Sequence, residues 1–405
     1  DIIVIGAGWA GFTACMEAKK LGLKAALIER NLIGGTCLNT GCIPTKTLIQ
    51  SAKIFSQAKK SASFGVNAQQ PEIILSMAQD RKNRIVSQLR SAMEFMLKGI
   101  DVIKAEARIL GPDCVRAGDR ELKARHILVA TGSIPAQIKN LEFNGDRILS
   151  SDHMLELTDV PKSLLIVGGG VIGCEFAGLY SALGSQVTVV ELLAQLLPGM
   201  DPDIASRLSS NFKKKGISVR TSCDVNTVDR GAFEKILVCV GRRPSCSDIG
   251  LDNAGVILNA NGSCKVDDRM ATNIPSIYSA GDCAGGLMLA HYAAYQARRA
   301  VGFISGRRMD QANTTVPSCV FTDPEIACVG IHEERAKALN MDVKAFRFDF
   351  LGSGMARIID EGVANGDLPV IDFLKPKAGT PLIDAGIELG RPFRGKKPDI
   401  GAIEF

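Results

Sequence analysis

Two stretches of this chain repeat one order of apolar and small positions. The first opens with the unbroken apolar run Ile2-Ile3-Val4-Ile5 and passes through Gly6-Ala7-Gly8-Trp9-Ala10-Gly11. It continues into helix-like sequence over residues 12–21, and a second apolar run, Ala25-Ala26-Leu27-Ile28, ends at Glu29. The order returns as Ser163-Leu164-Leu165-Ile166-Val167, then Gly168-Gly169-Gly170-Val171-Ile172-Gly173-Cys174-Glu175, then Val187-Thr188-Val189-Val190 ending at Glu191. Short apolar runs without polar alternation predict buried strands. A glycine cluster between strand and helix predicts a tight turn into the helix.

Each glycine has a separate physical task in such a unit. Gly6 permits the turn, Gly8 lets the backbone approach a pyrophosphate, and Gly11 lets helix and strand pack closely. The helix N-terminus offers unpaired N–H groups and a positive dipole end to phosphates. Glu29 can accept hydrogen bonds from a ribose 2′-OH. The glycine motif alone is weak; with strand, helix and terminal acid it predicts a dinucleotide site. The second unit assigns the same tasks to Gly168, Gly170, Val171, Ile172, Gly173, Glu175 and Glu191. Glu191 favours the free 2′-OH of NAD, because a 2′-phosphate calls for Arg and the next residues are Leu192 and Leu193. The expected fold class is α/β, with two Rossmann-like domains.

Between the two units lies Gly34-Gly35-Thr36-Cys37-Leu38-Asn39-Thr40-Gly41-Cys42-Ile43-Pro44-Thr45-Lys46. Cys37 and Cys42 need a distorted helical turn for their sulfurs to meet. Two unrelated buried thiols are the plain alternative. Zinc is poorly served, because no second Cys/His pair at ligand spacing lies nearby.

The flanking Gly35, Gly41, Pro44 and Lys46 bring a family into view. With them the run resembles the redox box of the pyridine nucleotide–disulfide oxidoreductases, the flavoprotein family of dihydrolipoamide dehydrogenase, glutathione reductase and mercuric reductase. Ala130-Thr131-Gly132-Ser133 resembles that family's exit from the FAD domain, and Val240-Gly241-Arg242-Arg243-Pro244 its exit from the NAD domain. Thr272 to Asp282 resembles the second FAD motif, whose Asp holds the ribityl chain. Met288-Leu289-Ala290-His291 resembles the segment near the flavin ring, in the version of the dihydrolipoamide dehydrogenase branch. Val316-Pro317 and Phe321-Thr322-Asp323-Pro324-Glu325 resemble the start of the interface domain. The resemblance spans residues 1–362.

That resemblance implies FAD at the first unit and NAD at the second. It implies FAD contacts at Arg30, Gly35, Thr36, Cys37, Lys46, Ala107, Thr131, Gly132, Ser133, Asp282, Met288, Leu289, Ala290 and His291, and a nucleotide contact at Gly241. It implies a disulfide between Cys37 and Cys42, with Cys42 as the charge-transfer thiolate near the flavin and Cys37 as the thiol that attacks substrate. Lys46 pairs with Glu175 in that family. No metal is implied. The implied reaction is dihydrolipoamide + NAD⁺ ⇌ lipoamide + NADH; other disulfides, mercuric ion, or a non-catalytic FAD-binding remnant are the alternatives. The implied partners are lipoamide or another small or protein-bound disulfide, a 2-oxoacid dehydrogenase or glycine cleavage complex, and a second copy in a homodimer.

The implied layout is discontinuous: residues 1–150 begin the FAD domain, 151–245 form the NAD domain, 246–312 complete the FAD domain, and 313–362 open a truncated or altered α+β interface domain. Two places depart from the family. Only Asp224 to Lys235 separate the Val219 strand from Ile236-Leu237-Val238-Cys239-Val240, where the family has a further β-meander. The family also ends with His-Pro-Thr followed by Glu, its catalytic base. The four His here, 126, 153, 291 and 332, are in other contexts. Residues 363–405 instead resemble the closing segment of right-handed parallel β-helix proteins. Loss of such a base typically costs about 10²–10⁴-fold, so reduction by NADH is expected to be normal and turnover with lipoamide impaired.

Composition narrows the remaining classes. The 405 residues are 46% hydrophobic and 22% charged, enough for two or three domains with sizeable cores. A net charge of +5 does not suggest a nucleic-acid surface. Lys213-Lys214-Lys215 reads as a solvated helix face. No apolar run reaches membrane-spanning length, and no signal peptide precedes the first strand. The chain starts inside that strand, so a few leading residues are expected to be absent. Twelve scattered Cys suit a reducing, cytoplasmic setting, with all but Cys37 and Cys42 read as packing.

Overall fold

The computed structural model describes residues 1–310, 312, 315–349 and 370–376. The chain runs through β1 (Ile2–Ile5), α1 (Trp9–Lys20), β2 (Ala25–Glu29), α2 (Gly35–Asn39), α3 (Cys42–Lys60), α4 (Leu75–Met96) and β3 (Asp101–Lys104). Next come β4 (Ala107–Gly111), β5 (Cys114–Ala117), β6 (Arg120–Lys123), β7 (His126–Val129), β8 (Ser133–Pro135), β9 (Ile148–Leu149) and α5 (Ser151–Met154). Then follow β10 (Ser163–Val167), α6 (Val171–Leu183), β11 (Gln186–Val190), α7 (Pro202–Lys214), β12 (Ser218–Arg220) and β13 (Lys235–Val238). The last are β14 (Arg242–Pro244), β15 (Ile277–Ser279), α8 (Ala290–Ile304), β16 (Ser318–Val320), β17 (Ile326–Cys328), α9 (Glu333–Ala338), β18 (Val343–Asp349) and β19 (Val370–Pro376).

Two compact units form. The first contains Asp1–Val160 and Leu237–Ala312. The second contains Pro161–Ile236 and the described residues after Ala312, so the chain passes from the second unit back to the first within β13.

The first unit is built on a parallel sheet ordered β15-β7-β1-β2-β3. The unbroken apolar runs are explained by its two covered faces. Ile2, Val4, Leu27 and Leu128 face one apolar cluster, which contains Ala10, Ala14 and Ala18 of α1 and Ala293, Ala297 and Ala300 of α8. Small residues at these spacings let the two helices lie close together. Ile3, Ile5, Ile28, Ile127, Val129 and Ile277 face the other cluster, with Ile109 and Val115 of the antiparallel sheet β4-β5-β6. The strand period of two thus sorts one run into two cores. β1 is central, and its neighbours lead away in opposite directions. Ligands of such sheets bind outside the carboxyl ends of the strands, at this point of reversal.

The second unit repeats the plan with β12-β11-β10 in parallel register. Residues 224–235 hold two single 3₁₀ turns, Val225–Thr227 and Arg230–Ala232. β16 pairs antiparallel with β17, and β18 with β19. Among the described residues no helix is long and apolar enough to cross a membrane. The readings of residues 350–369 and 377–405, including most of the β-helix-like tail, lie outside the described residues.

Several expectations change in detail. The first helix starts at Trp9, not residue 12, so the glycine motif itself makes the first helical turn. Two helices, α3 and α4, fill most of residues 42–96. Lys215 is not simply solvated: its Nζ donates to the carbonyl and a carboxylate oxygen of Asp323, each at 2.6 Å. Cys319 and Cys328 are exposed, against the packing role expected of them.

Candidate active site

The first glycine motif lies at the carboxyl end of β1. Gly6 adopts φ +99°, and its N–H donates to the Ile28 carbonyl at 2.8 Å. A Cβ on Gly11 would overlap the Gly6 carbonyl oxygen, which is the close strand–helix packing expected of the third glycine. Gly8 caps α1 without any side-chain hydrogen bond, so the first-turn N–H groups face outward uncapped. Glu29 accepts from Ala7 N at 2.7 Å and from Asn31 N at 2.8 Å. These bonds aim the carboxylate and leave lone pairs for a ribose hydroxyl.

The second unit duplicates this geometry contact by contact. Gly168 N donates to the Val190 carbonyl at 2.8 Å. Glu191 accepts from Gly169 N at 2.6 Å and Leu193 N at 2.8 Å. Gly170 caps α6 with no side-chain hydrogen bond, and Val171, Ile172 and Gly173 form its first turn. Leu192 and Leu193 are exposed beside Glu191. Glu175 is buried in this unit and accepts from Phe321 N at 3.0 Å. Buried Cys174, between Glu175 and the turn, is pushed up to about 12 by burial first and then by Glu175 and Glu191.

The two cysteines do not share one distorted turn. Cys37 lies in α2, and Cys42 is the first residue of α3, with the break at Thr40-Gly41. Local bonds fix this break. Thr45 Oγ1 donates to the Gly41 carbonyl at 2.6 Å, and Asn39 Nδ2 donates back to the carbonyls of Ile33 and Gly35. Arg90 of α4 clamps the other end of Asn39, donating twice to its Oδ1 at 3.0 and 2.8 Å. Both cysteines are unbridged thiols in this structure.

The two sulfurs are not equivalent. Cys42 stands at the N-terminus of a 19-residue helix whose first turn has no acid and whose cap has no side-chain acceptor. The dipole there favours a thiolate. Cys37 is pushed far above the ordinary thiol range, first by its hydrogen bond to Cys42 and then by burial. The hydrogen bond between them favours keeping the proton on Cys37.

A polar chain ties α2 to the FAD-type motifs within the same unit. Ser133 Oγ donates to an Asp282 carboxylate oxygen at 2.5 Å. Arg242 Nε donates to Ser133 Oγ at 2.8 Å, and its Nη2 reaches the Ser133 carbonyl at 2.8 Å and Thr36 Oγ1 at 3.4 Å. Sequence reading picked Gly241 but missed Arg242, whose guanidinium makes the link; the quoted Gly-Arg-Arg-Pro run was the signal. Thr131 Oγ1 is buried, and its hydroxyl acts on the Cys283 sulfur. Met288 and Leu289 precede α8, while Ala290 and the exposed His291 begin it. Arg30 is exposed and 4.0 Å from Glu106, and Ala107 lies in β4, paired with Ala117. Lys46 follows Cys42 by one turn of α3. Lys46 and Glu175 belong to different units. Among the described residues no cluster of His, Cys, Asp or Glu suits a metal ion.

The sequence matches the family described as pyridine nucleotide-disulphide oxidoreductase over residues 1–297, and the dimerisation domain of that family over residues 316–368. The chain belongs to the pyridine nucleotide-disulphide oxidoreductases, and is an oxidoreductase that uses FAD and NAD(P). It is 38% identical over 380 residues to dihydrolipoyl dehydrogenase of Bacillus subtilis, covering 88% of this chain and 83% of the relative. It is 37% identical over 374 residues to dihydrolipoyl dehydrogenase of Chlamydia pneumoniae, covering 88% and 81%. Among solved structures it resembles LpdA from Mycobacterium tuberculosis, with TM-score 0.84 at 26% identity over 93% of this chain and 87% of that one. It also resembles the HOCl-induced flavoprotein disulfide reductase of Escherichia coli, with TM-score 0.80 at 27% identity over 93% and 86%.

Proposed function

We propose that this chain is a dihydrolipoyl dehydrogenase, exchanging two electrons between dihydrolipoamide and NAD⁺ through Cys37 and Cys42. The observation that carries this reading is the unequal thiol pair: Cys42 at a helix N-terminus and Cys37 donating to it. A thiolate is the nucleophile of thiol–disulfide exchange, and a thiol beside a thiolate closes to a disulfide by giving up two electrons and one proton.

The residues present fit FAD. The uncapped start of α1, the Gly6–Gly11 packing and the Glu29 carboxylate are the features a dinucleotide would use. When bound, FAD would supply the two-electron link between a nicotinamide and the Cys37–Cys42 pair. Gly6, Gly8, Gly11 and Glu29 would hold its nucleotide half, and Asp282, steadied by Ser133 and Arg242, its ribityl side. Lys46 is assigned to the flavin edge, and Glu175 to the nicotinamide-binding unit.

NAD, rather than NADP, is assigned to the second motif. Glu191 would face a 2′-phosphate with like charge, and Leu192 and Leu193 offer it no cation. The dimerisation-domain match supports a homodimer formed through residues 316–368. The lipoyl group of a 2-oxoacid dehydrogenase or glycine cleavage complex is the assigned physiological partner. The twelve unbridged cysteines suit the cytoplasm. A reductase of another disulfide is the second reading, favoured by the likeness to the flavoprotein disulfide reductase of Escherichia coli.

Initial rates decide between them. NADH with lipoamide is expected to outrun NADPH with lipoamide, and NADH with glutathione disulfide, by at least about tenfold each. Equal rates with NADPH would overturn the role of Glu191. Faster turnover of glutathione disulfide would move the assignment to the second reading.

A further inference from the structure

Helix α4 carries two cations on its packed face. Ala78, Lys82, Val86 and Met93 are buried along it at helical spacing, with Leu97 buried at its end, and half-buried Arg90 stands between Val86 and Met93. Val86, Met93 and Leu97 share one apolar cluster with Ile33 and Leu38, so α4 packs on the segment that carries Cys37. Lys82 is tied elsewhere: its Nζ donates to the Leu155 carbonyl at 2.7 Å and to Glu156 at 2.8 Å. Arg90 is tied to the redox segment, its Nε and Nη2 donating to Asn39 Oδ1 at 3.0 and 2.8 Å.

Asn39 lies between the two cysteines in sequence, and its amide works in both directions. Nδ2 donates to the carbonyls of Ile33 at 3.1 Å and Gly35 at 3.0 Å, while Oδ1 accepts the Arg90 fork. A carboxylate in its place would have no donor for the two carbonyls, and a hydroxyl would have too few hydrogens. The guanidinium is planar and rigid, so it fixes the orientation of the amide as well as its position. Thr40 N on the Thr36 carbonyl at 2.9 Å and Thr45 Oγ1 on the Gly41 carbonyl at 2.6 Å close the segment locally. Arg90 adds a tie from a helix 51 residues away.

We propose that Arg90 is a positioning residue for the redox pair: through Asn39 it holds residues 37–42 in the geometry from which the disulfide closes, and so sets the reduction potential of Cys37–Cys42. The proposal rests on the redox role assigned above to this pair. A segment already held has less conformational freedom to lose when the S–S bond forms, so the clamp favours the disulfide. Without the clamp the disulfide is easier to reduce, and the potential rises.

The test reads that potential. The FAD-loaded chain is equilibrated anaerobically with mixtures of reduced and oxidised dithiothreitol and alkylated, and the Cys37–Cys42 disulfide is quantified by peptide mass spectrometry. Closure makes the Cys37–Cys42 bond and breaks that of oxidised dithiothreitol, which takes up the two electrons, one proton from Cys37 and one from solvent. Arg90→Met is expected to reach half-reduction at an about tenfold lower ratio of reduced to oxidised dithiothreitol, a rise of about 30 mV. Asn39→Ala should shift in the same direction, and adding Arg90→Met to it should shift no further, because Arg90 acts through Asn39. Met93→Ala is the control for general loosening of α4: its melting temperature should fall and its potential should not move. An unchanged or lower potential in Arg90→Met overturns the proposal. So does an equal rise in Met93→Ala, or additive shifts in the double variant. A pair that never closes in the unaltered chain overturns the redox reading itself, and the role of Arg90 with it.

Discussion

Cys42→Ser is expected to lower NADH-dependent disulfide turnover by about 10³-fold or more, with the fold intact. Serine is nearly isosteric, and Cys42 is only partly buried at the first position of α3. A hydroxyl at that helix N-terminus satisfies the backbone at least as well as a thiol. The chemistry is what is lost, since no disulfide can close and no thiolate is left beside Cys37. Cys37→Ser should block turnover as severely for another reason, the loss of the sulfur that attacks substrate. Steady-state rates with lipoamide, alongside thermal melts of both variants, check this. Turnover above about a tenth of normal in either variant, with the melt unchanged, would mean that electrons bypass the pair.

Gly11→Ala should produce the largest loss of stability from a single methyl group. The added Cβ would overlap the Gly6 carbonyl, a backbone atom that cannot move without opening the β1–α1 turn. Overpacking of this kind costs about 3 kcal/mol or more, roughly a 6–12 °C fall in melting temperature for a unit of this size. Flavin content after purification should fall with it. Gly178→Ala is the control. Gly178 lies inside α6 with open space around its Cβ position, so the change should be neutral or stabilising by about 0.5–1 kcal/mol. Equal melts for the two variants would show that the glycine does not set the strand–helix approach.

The parts of the site that lie close together in sequence were the legible parts. Strand, glycine turn, helix and terminal acid span fewer than about 30 residues, and every contact within them follows from backbone rules. The repeated bonds of Glu29 and Glu191 are the outcome. The redox helix was legible as a motif but not as geometry. The break at Gly41 that places Cys42 at a helix start depends on Asn39, Thr45 and the distant Arg90. Arg242 was quoted within a motif yet not singled out, because its partners Thr36 and Ser133 lie more than 100 residues away. Trp9 was hidden for a related reason. Its place in the glycine motif reads as a variable position, and only folding shows that its Nε1–H is closed to solvent. The start of α1 was read three residues late because glycine is a poor helix former, and close packing on β1 overrode that preference.

One anaerobic experiment tests the central claim most directly. The FAD-loaded chain is alkylated before and after addition of one equivalent of NADH, and newly labelled cysteines are located by peptide mapping. The account predicts that NADH is consumed and that two new thiols appear, at Cys37 and Cys42. NADH consumption with no new label at those positions, or with label appearing at other cysteines, would contradict it.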